Sequence, residues 1–225
     1  MTDQARITAG GRYTRDRLTD VAFNDISDFA FGFAPAASYT QKNRANDFSW
    51  RVSGQYDFAP AVMGYVTVST GYKGPGFNQV YGGGLPIGPE QSEAYEVGIK
   101  SRIGTSVLLN LSAYWETVKD LQVQAFRPDI PAYLVSNAGS LRSRGAEAEM
   151  KWNAGPDLNF SGNASFNNAK FTSFARAQCY PGQTAAQGCV ADPTNPANTF
   201  TDASGNRLQN APKCPARSRP TMSRW

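Results

Sequence analysis

Histidine is missing from all 225 residues. With it go imidazole general bases, Ser-His-Asp triads and most zinc sites. No phosphate-cradling Gly-Lys-Ser/Thr run occurs, and no Gly-x-Ser-x-Gly nucleophile elbow. Of enzyme chemistries only paired carboxylates of the glycosidase type remain, and no such pair stands out. No apolar run approaches the roughly 18 residues of a membrane helix, and no segment shows a helical period. The start, "MTDQARITAG", lacks the basic and apolar regions of a signal peptide. The net charge of +4 is mild and the basic residues are scattered except near the C-terminus, which argues against a nucleic-acid partner. Hydrophobic residues make up only 40%, little for an ordinary core. Neither a cofactor nor a metal site is expected.

What is present is alternation. In "FSWRVSGQYDF" the positions Phe48, Trp50, Val52, Gly54, Tyr56 and Phe58 form one set, and Ser49, Arg51, Ser53, Gln55 and Asp57 the other. That is the two-residue period of a β-strand, with large apolar groups on one face and polar groups on the other. The pattern recurs. Ile7, Ala9, Gly11 and Tyr13 oppose Arg6, Thr8 and Arg12; Tyr95, Val97 and Ile99 oppose Glu96 and Lys100. Over the long stretch 106–126, Leu109, Leu111, Ala113, Trp115, Leu121, Val123 and Ala125 oppose Asn110, Ser112, Glu116, Gln122 and Gln124, and Ala146, Ala148, Met150 and Trp152 oppose Glu147, Glu149 and Lys151. Leu158, Phe160, Ala164 and Phe166 oppose Asn159, Ser161, Asn163 and Ser165. About seven strands are expected.

The connections alternate in length. Long loops are expected over residues 16–47, 71–91 and 172–212, with an intermediate one at 127–133. Tight turns are expected at Ala59-Pro60-Ala61, Arg102 to Thr105 and Asn153 to Asp157. Membrane β-barrels have this asymmetry, and their strands alternate between lipid and a wet interior. Aromatics near strand ends (Tyr13, Phe48, Phe58, Trp152) suit interfacial girdles. The expected fold class is therefore all-β: an antiparallel up-and-down transmembrane β-barrel, incomplete, and an open curved sheet if it stands alone. The competing architecture is a soluble all-β ligand-binding protein with one solvated face.

Five stretches in order resemble the TonB-dependent outer-membrane receptors: "ITAGGRYTRD", "GYVTVSTGYKGPGFN", "PEQSEAYEVGIKS", "LNLSAYWETVKDLQVQ" and "SNAGSLRSRGAEAEMKW". The resemblance covers about residues 5–212. It implies an outer-membrane location, a large barrel closed inside by a plug domain, and a small-molecule ligand bound among extracellular loops and plug. It also implies coupling to the TonB complex through an N-terminal box, and so no hydrolytic site. The sequence departs from that pattern in showing no plug, no coupling box and no signal peptide. An unclosed wall leaves edges whose backbone groups lack partners in lipid. The expectation is a receptor fragment, its partners being membrane lipid and the missing plug and strands. An autonomous small barrel or adhesin is the alternative. Residues 1–213 are read as barrel wall. Residues 214–225, "CPARSRPTMSRW", are read as an aberrant basic tail without alternation, either out of frame after about Lys213 or a genuine basic tail.

For function, the loop "GYKGPGFNQVYGGG" offers Tyr72, Lys73, Phe77, Asn78 and Tyr81 for ligand contact: rings for stacking, a cation for an anion. The same glycines and proline also suit simple loop shaping. Glu96, Glu147 and Glu149 are read as solvated lumen charge, with cation binding or plug contact as the alternatives. The aromatic loop "AFNDISDFAFGFAP" is either a binding surface or local packing. Cys179 and Cys189 flank a Gly/Pro-containing loop, where a disulfide would suit an oxidising compartment and contribute about 3 kcal/mol; two free thiols are the alternative.

Overall fold

The structure, a computed structural model, describes residues 4–22, 39–80, 83–127, 132–137, 139–196, 198–213 and 216–222. Its strands in chain order are β1 (Ala5–Ala22), β2 (Tyr39–Ala59), β3 (Val62–Lys73), β4 (Gly76–Val80), β5 (Gly83–Ile87), β6 (Glu90–Ile103), β7 (Val107–Lys119), β8 (Gln122–Arg127), β9 (Ala132–Asn137), β10 (Ser140–Gly155), β11 (Leu158–Ser173), β12 (Ala177–Gln178), β13 (Val190–Ala191), β14 (Thr199–Thr201) and β15 (Ala216–Met222). One antiparallel sheet runs β1-β2-β3-β6-β7-β10-β11-β15. Each strand pairs with the next wall strand along the chain, so the wall is an up-and-down meander. It is open: β1 and β15 are its two ends.

Register turns the sequence period into continuous rows. Ile7, Gly54, Val66, Val97, Ala113, Ala146 and Phe166 lie side by side across seven strands. One step away, Thr8, Ser53, Thr67, Glu96, Tyr114, Gly145 and Asn167 form the adjoining row on the opposite face. The burial is inverted relative to a soluble protein. Ile7 is 71% exposed, whereas Thr67 is 5% exposed with its hydroxyl 3.0 Å from that of Ser53. A face of exposed Ile, Val, Phe and Trp costs heavily in water and nothing in hydrocarbon. Glycines in the wall leave room for rings. A β-carbon at Gly98 would fall 2.5 Å from the Tyr65 ring, and one at Gly64 2.6 Å from Phe58. The aromatic on one strand thus covers backbone on its neighbour.

The seven long strands fall where alternation placed them and extend further, except that the single run expected over 106–126 breaks at Asp120 (φ 53): β7 stays in the wall and β8 leaves it to pair with β9. β1 continues to Ala22 and β2 begins at Tyr39, inside a region expected to be loop. Residues there, such as Arg17 opposite Arg44 and Leu18 opposite Asn43, keep the ladder without keeping an apolar face. Loop 71–91 likewise contains the β4–β5 hairpin, and 122–137 the β8–β9 hairpin. The C-terminal segment is a correction. Where no strand was expected, β15 pairs with β11, setting Ala216, Ser218 and Pro220 opposite Ala164, Gly162 and Phe160. Arg217 and Arg219 fall opposite Asn163 and Ser161, on the polar rows. A proline is tolerated because β15 is an edge strand, where one side needs no donor. The alternation of small residues with arginines was present in "ARSRPTM" and was masked by its proline.

Candidate functional site

The two ends of the wall differ. At one, Ala59 to Val62, Ile103 to Val107 and Gly155 to Leu158 are tight reversals. At the other stand the β4–β5 and β8–β9 hairpins and the long segment after β11. Buried apolar side chains among the described residues are few, and Ile87, Val118, Leu134 and Leu141 gather at this loop end. Val118 and Leu141 are register partners at the top of β7 and β10. The nearest thing to a conventional core therefore lies under the hairpins, not within the wall.

Side-chain amides fasten this end. Asn78 donates from Nδ2 to the Val135 carbonyl at 2.8 Å and accepts the Val135 N–H at 2.7 Å, joining the two hairpins. Asn43 on β2 donates to the carbonyls of Gly76 and Ile87, both at 2.9 Å. Gln122 donates to the carbonyls of Gly74 and Gly88, and its backbone N–H donates to Glu90. Asn137 donates to the Asp120 carbonyl and accepts from the Gly88 N–H at 2.8 Å. Short hairpins with few neighbours satisfy their backbone groups in this way when no ladder reaches them.

The sequence-predicted contact residues share this region. The Tyr72 hydroxyl donates to Asp16 at 2.7 Å. Lys73 is exposed, its ammonium 3.7 Å from Glu90. Phe77 sits half-buried on β4 opposite Pro86, beside Asn78. Tyr81 and most of the aromatic loop 22–35 lie outside the described residues. Tyr72 and Asn78 are thus engaged in holding structure, while Lys73 faces outward. Sequence reading missed Asp16, Asn43, Gln122 and Asn137, because a lone carboxylate or amide in a polar stretch has no periodic signature.

The segment after β11 has its own frame. Cys179 and Cys189 are joined, with Cα atoms 5.8 Å apart. β12, β14 and β13 form a small sheet around the linkage. Arg176 lies 4.3 Å above the Phe200 ring and pairs with buried Asp192. Asp192 also accepts from the Thr194 hydroxyl and N–H, and these bonds, helped by Arg176, hold its carboxyl down at about 2. The chain then returns along β11, with Ala203, Gly205 and Leu208 donating backbone N–H groups to Phe174, Phe171 and Ala169.

On the polar face of the sheet a groove of about 1010 Å³ is lined by Tyr65, Glu96, Lys100, Glu147, Glu149 and Lys151 among others. Tyr65 donates to Glu96 at 2.5 Å with Lys100 5.6 Å from its ring, and Lys151 lies 3.2 Å from Glu149. The three glutamates expected to face the lumen therefore share one polar surface, two of them with fixed partners. It presents donors and acceptors of both signs, and among the described residues neither it nor the loop end shows a nucleophile set against a base.

Comparison with known proteins matches this architecture. The family model described as "TonB dependent receptor-like, beta-barrel" matches residues 1–216. The pesticin receptor of Yersinia pestis is 26% identical over 177 residues, 76% of this chain and 25% of that protein. The ferrichrome outer membrane transporter/phage receptor of Escherichia coli K12 is 26% identical over 185 residues, 82% of this chain and 22% of that one. The crystal structure of the ferric yersiniabactin uptake receptor FyuA from Yersinia pestis superposes with a TM-score of 0.69 at 21% identity, over 97% of this chain and 28% of that one. This chain spans about a quarter of the length of the curated relatives it matches. The two-faced meander and the family match agree along nearly the whole length, and the chain belongs to the β-barrel region of the TonB-dependent receptors.

Proposed function

We propose that this chain is a section of barrel wall from an outer-membrane receptor that imports a scarce ligand, a ferric chelate of the siderophore class. TonB-dependent receptors are transport receptors that bind ligands and work with TonB. Two of the relatives bear the names of ferrichrome and ferric yersiniabactin transporters, which favours a metal chelate over a vitamin or a carbohydrate. The observation that carries the reading is the wall itself. Rows of exposed apolar groups back onto rows of paired polar groups, with clamped hairpins at one end only. In this reading the polar face meets a plug domain. The loop Gly71–Gly84 meets ligand, Lys73 and Phe77 by contact, Tyr72 and Asn78 by holding the loop, and Tyr81 on the same segment. Transport by the wall alone is not expected, because coupling to TonB runs through the plug.

The test is uptake. The receptor containing this wall is expressed in a bacterium stripped of its own ferric-chelate receptors and given radiolabelled ferric siderophores. Accumulation that stops when the proton gradient is collapsed is the expected result. Uptake of a corrinoid or an oligosaccharide instead, with none of any ferric chelate, would overturn the ligand class.

A further inference from the structure

The wall is continuous only up to a point. The β2–β3 ladder ends at Arg51 opposite Ser69. Above it β2 runs on to Tyr39 paired with β1, and β3 runs on to Lys73 paired with β6. The rim is thus split into a β1–β2 leaf and a β3–β6 leaf. Among the described residues no backbone-to-backbone hydrogen bond crosses the split. Side chains cross it instead. The Trp50 N–H donates to the Thr70 hydroxyl at 2.9 Å, the Gln91 amide to Asp47 at 3.1 Å, and the Tyr72 hydroxyl to Asp16 at 2.7 Å.

The β4–β5 hairpin is fastened to the first leaf in the same manner. Asp16, Asp20 and Asn43 belong to the polar alternation of β1 and β2, the set of Thr8 and Ser53. Gln79 on β4 donates to Asp20 at 2.9 Å. Asn43 donates from one amide nitrogen to the carbonyls of Gly76 and Ile87, each at 2.9 Å, which uses both of its hydrogens. Those two residues are register partners, the first rung of the hairpin. One side chain therefore spans both hairpin strands. Gln122 on β8 repeats the device just below that rung, donating to Gly74 at 2.9 Å and to Gly88 at 2.8 Å. The base of the hairpin is pinned from β2 and from β8. Lys73 adjoins Gly74 and Phe77 adjoins Gly76, so the two amides set the spacing between that cation and that ring. A loop already held in its bound shape loses less entropy on binding, and the gain appears as affinity.

We propose that Asn43 and Gln122 are positioning residues for the imported ligand: their amides preset Lys73 and Phe77 by pinning the base of the β4–β5 hairpin beside the split. The proposal rests on the segment Gly71–Gly84 meeting ligand. It does not depend on which solute that is.

The experiment uses the receptor containing this wall, in the uptake assay with radiolabelled ferric siderophores, and hydrogen exchange on the same proteins. Asn43→Asp keeps the side-chain shape and replaces two donors by acceptors facing two carbonyls. It should raise the half-saturating concentration at least about tenfold, the scale of one lost hydrogen bond. The maximal rate should stay unchanged, and exchange should speed up over Gly76–Ile87. Gln122→Glu should act alike, and Asn43→Gln, which returns the donors on a longer arm, should recover part of the affinity. Ser53→Ala removes a β2–β3 side-chain bond below the split and should alter neither constant. A fall in maximal rate with unchanged half-saturation in Asn43→Asp would overturn the proposal, as would an equal rise in Ser53→Ala. Unchanged exchange over Gly76–Ile87 in Asn43→Asp would overturn it whatever is imported. Uptake of a corrinoid or an oligosaccharide in place of any ferric chelate would remove the ligand class alone, and a tenfold rise for that solute would support the positioning role.

Discussion

The wall and the loop end are built from the same strands on different terms. In the wall, neighbours are fixed by ladder and register, and the side chains have only to present an apolar or a polar face. At the loop end the ladders are short, and order comes from single amides, one disulfide and a small buried cluster around Ile87, Val118, Leu134 and Leu141. The first design tolerates substitution within a class. The second depends on individual atoms.

The difference is sharpest for a charge placed on the lipid-facing rows. Val97→Arg, in the row between Val66 and Ala113, should cost ~2–4 kcal/mol when the barrel is unfolded from lipid vesicles. Ser112→Arg, on the polar face one strand over, should cost far less. Equal losses would remove the distinction between the faces.

Next in size is the linkage. Cys179→Ser with Cys189→Ser should destabilise its loop locally by about 3 kcal/mol. Hydrogen exchange is expected to speed up across Ala177–Thr201 while β6, β7 and β10 stay protected. Loss of protection in the wall would show that the two regions are not independent.

Asn78→Ala removes two hydrogen bonds between the hairpins and should cost about 1–3 kcal/mol. Faster exchange at Val135 and along β4 is expected, with wall unfolding unchanged. Asn78→Asp should recover only the accepting half of the clamp.

The smallest effect is the pH response of the loop. Asp192 sits at about 2 when folded, below the ordinary carboxylate value near 3.9 of an unfolded chain. Its stabilising contribution is complete above about pH 4 and is lost as pH falls from about 4 towards 2. Exchange of the Thr194 amide should follow that window, and Asp192→Asn should abolish the dependence.

Legibility in the sequence followed the same division. The wall was readable because one period, repeated from Ile7 to Phe166, names both the strand and its faces. Strand lengths were not, because beyond Asp16 on β1 and before Asp47 on β2 both faces turn polar while the ladder continues. β15 was missed because Pro220 outweighed the alternation around it. The stretch holding Tyr72, Lys73, Phe77 and Asn78 was read as one loop, whereas Tyr72 and Lys73 end wall strand β3 and Phe77 and Asn78 lie on β4, where the Asn78 amide is bonded to Val135. Such pairings bring together residues 57 apart in the chain, and no local pattern announces them. The disulfide was legible because two cysteines flank a turn-rich loop.

The most direct test of the two-faced wall is accessibility along one strand. Single spin labels placed from Leu109 to Trp115 on β7, in a chain with Cys214→Ser, are measured in bilayers against oxygen and against a water-soluble nickel chelate. The account predicts a strict two-residue alternation, with positions 109, 111, 113 and 115 favouring oxygen and 110, 112 and 114 showing no such preference. Equal access of the chelate to both sets would contradict it.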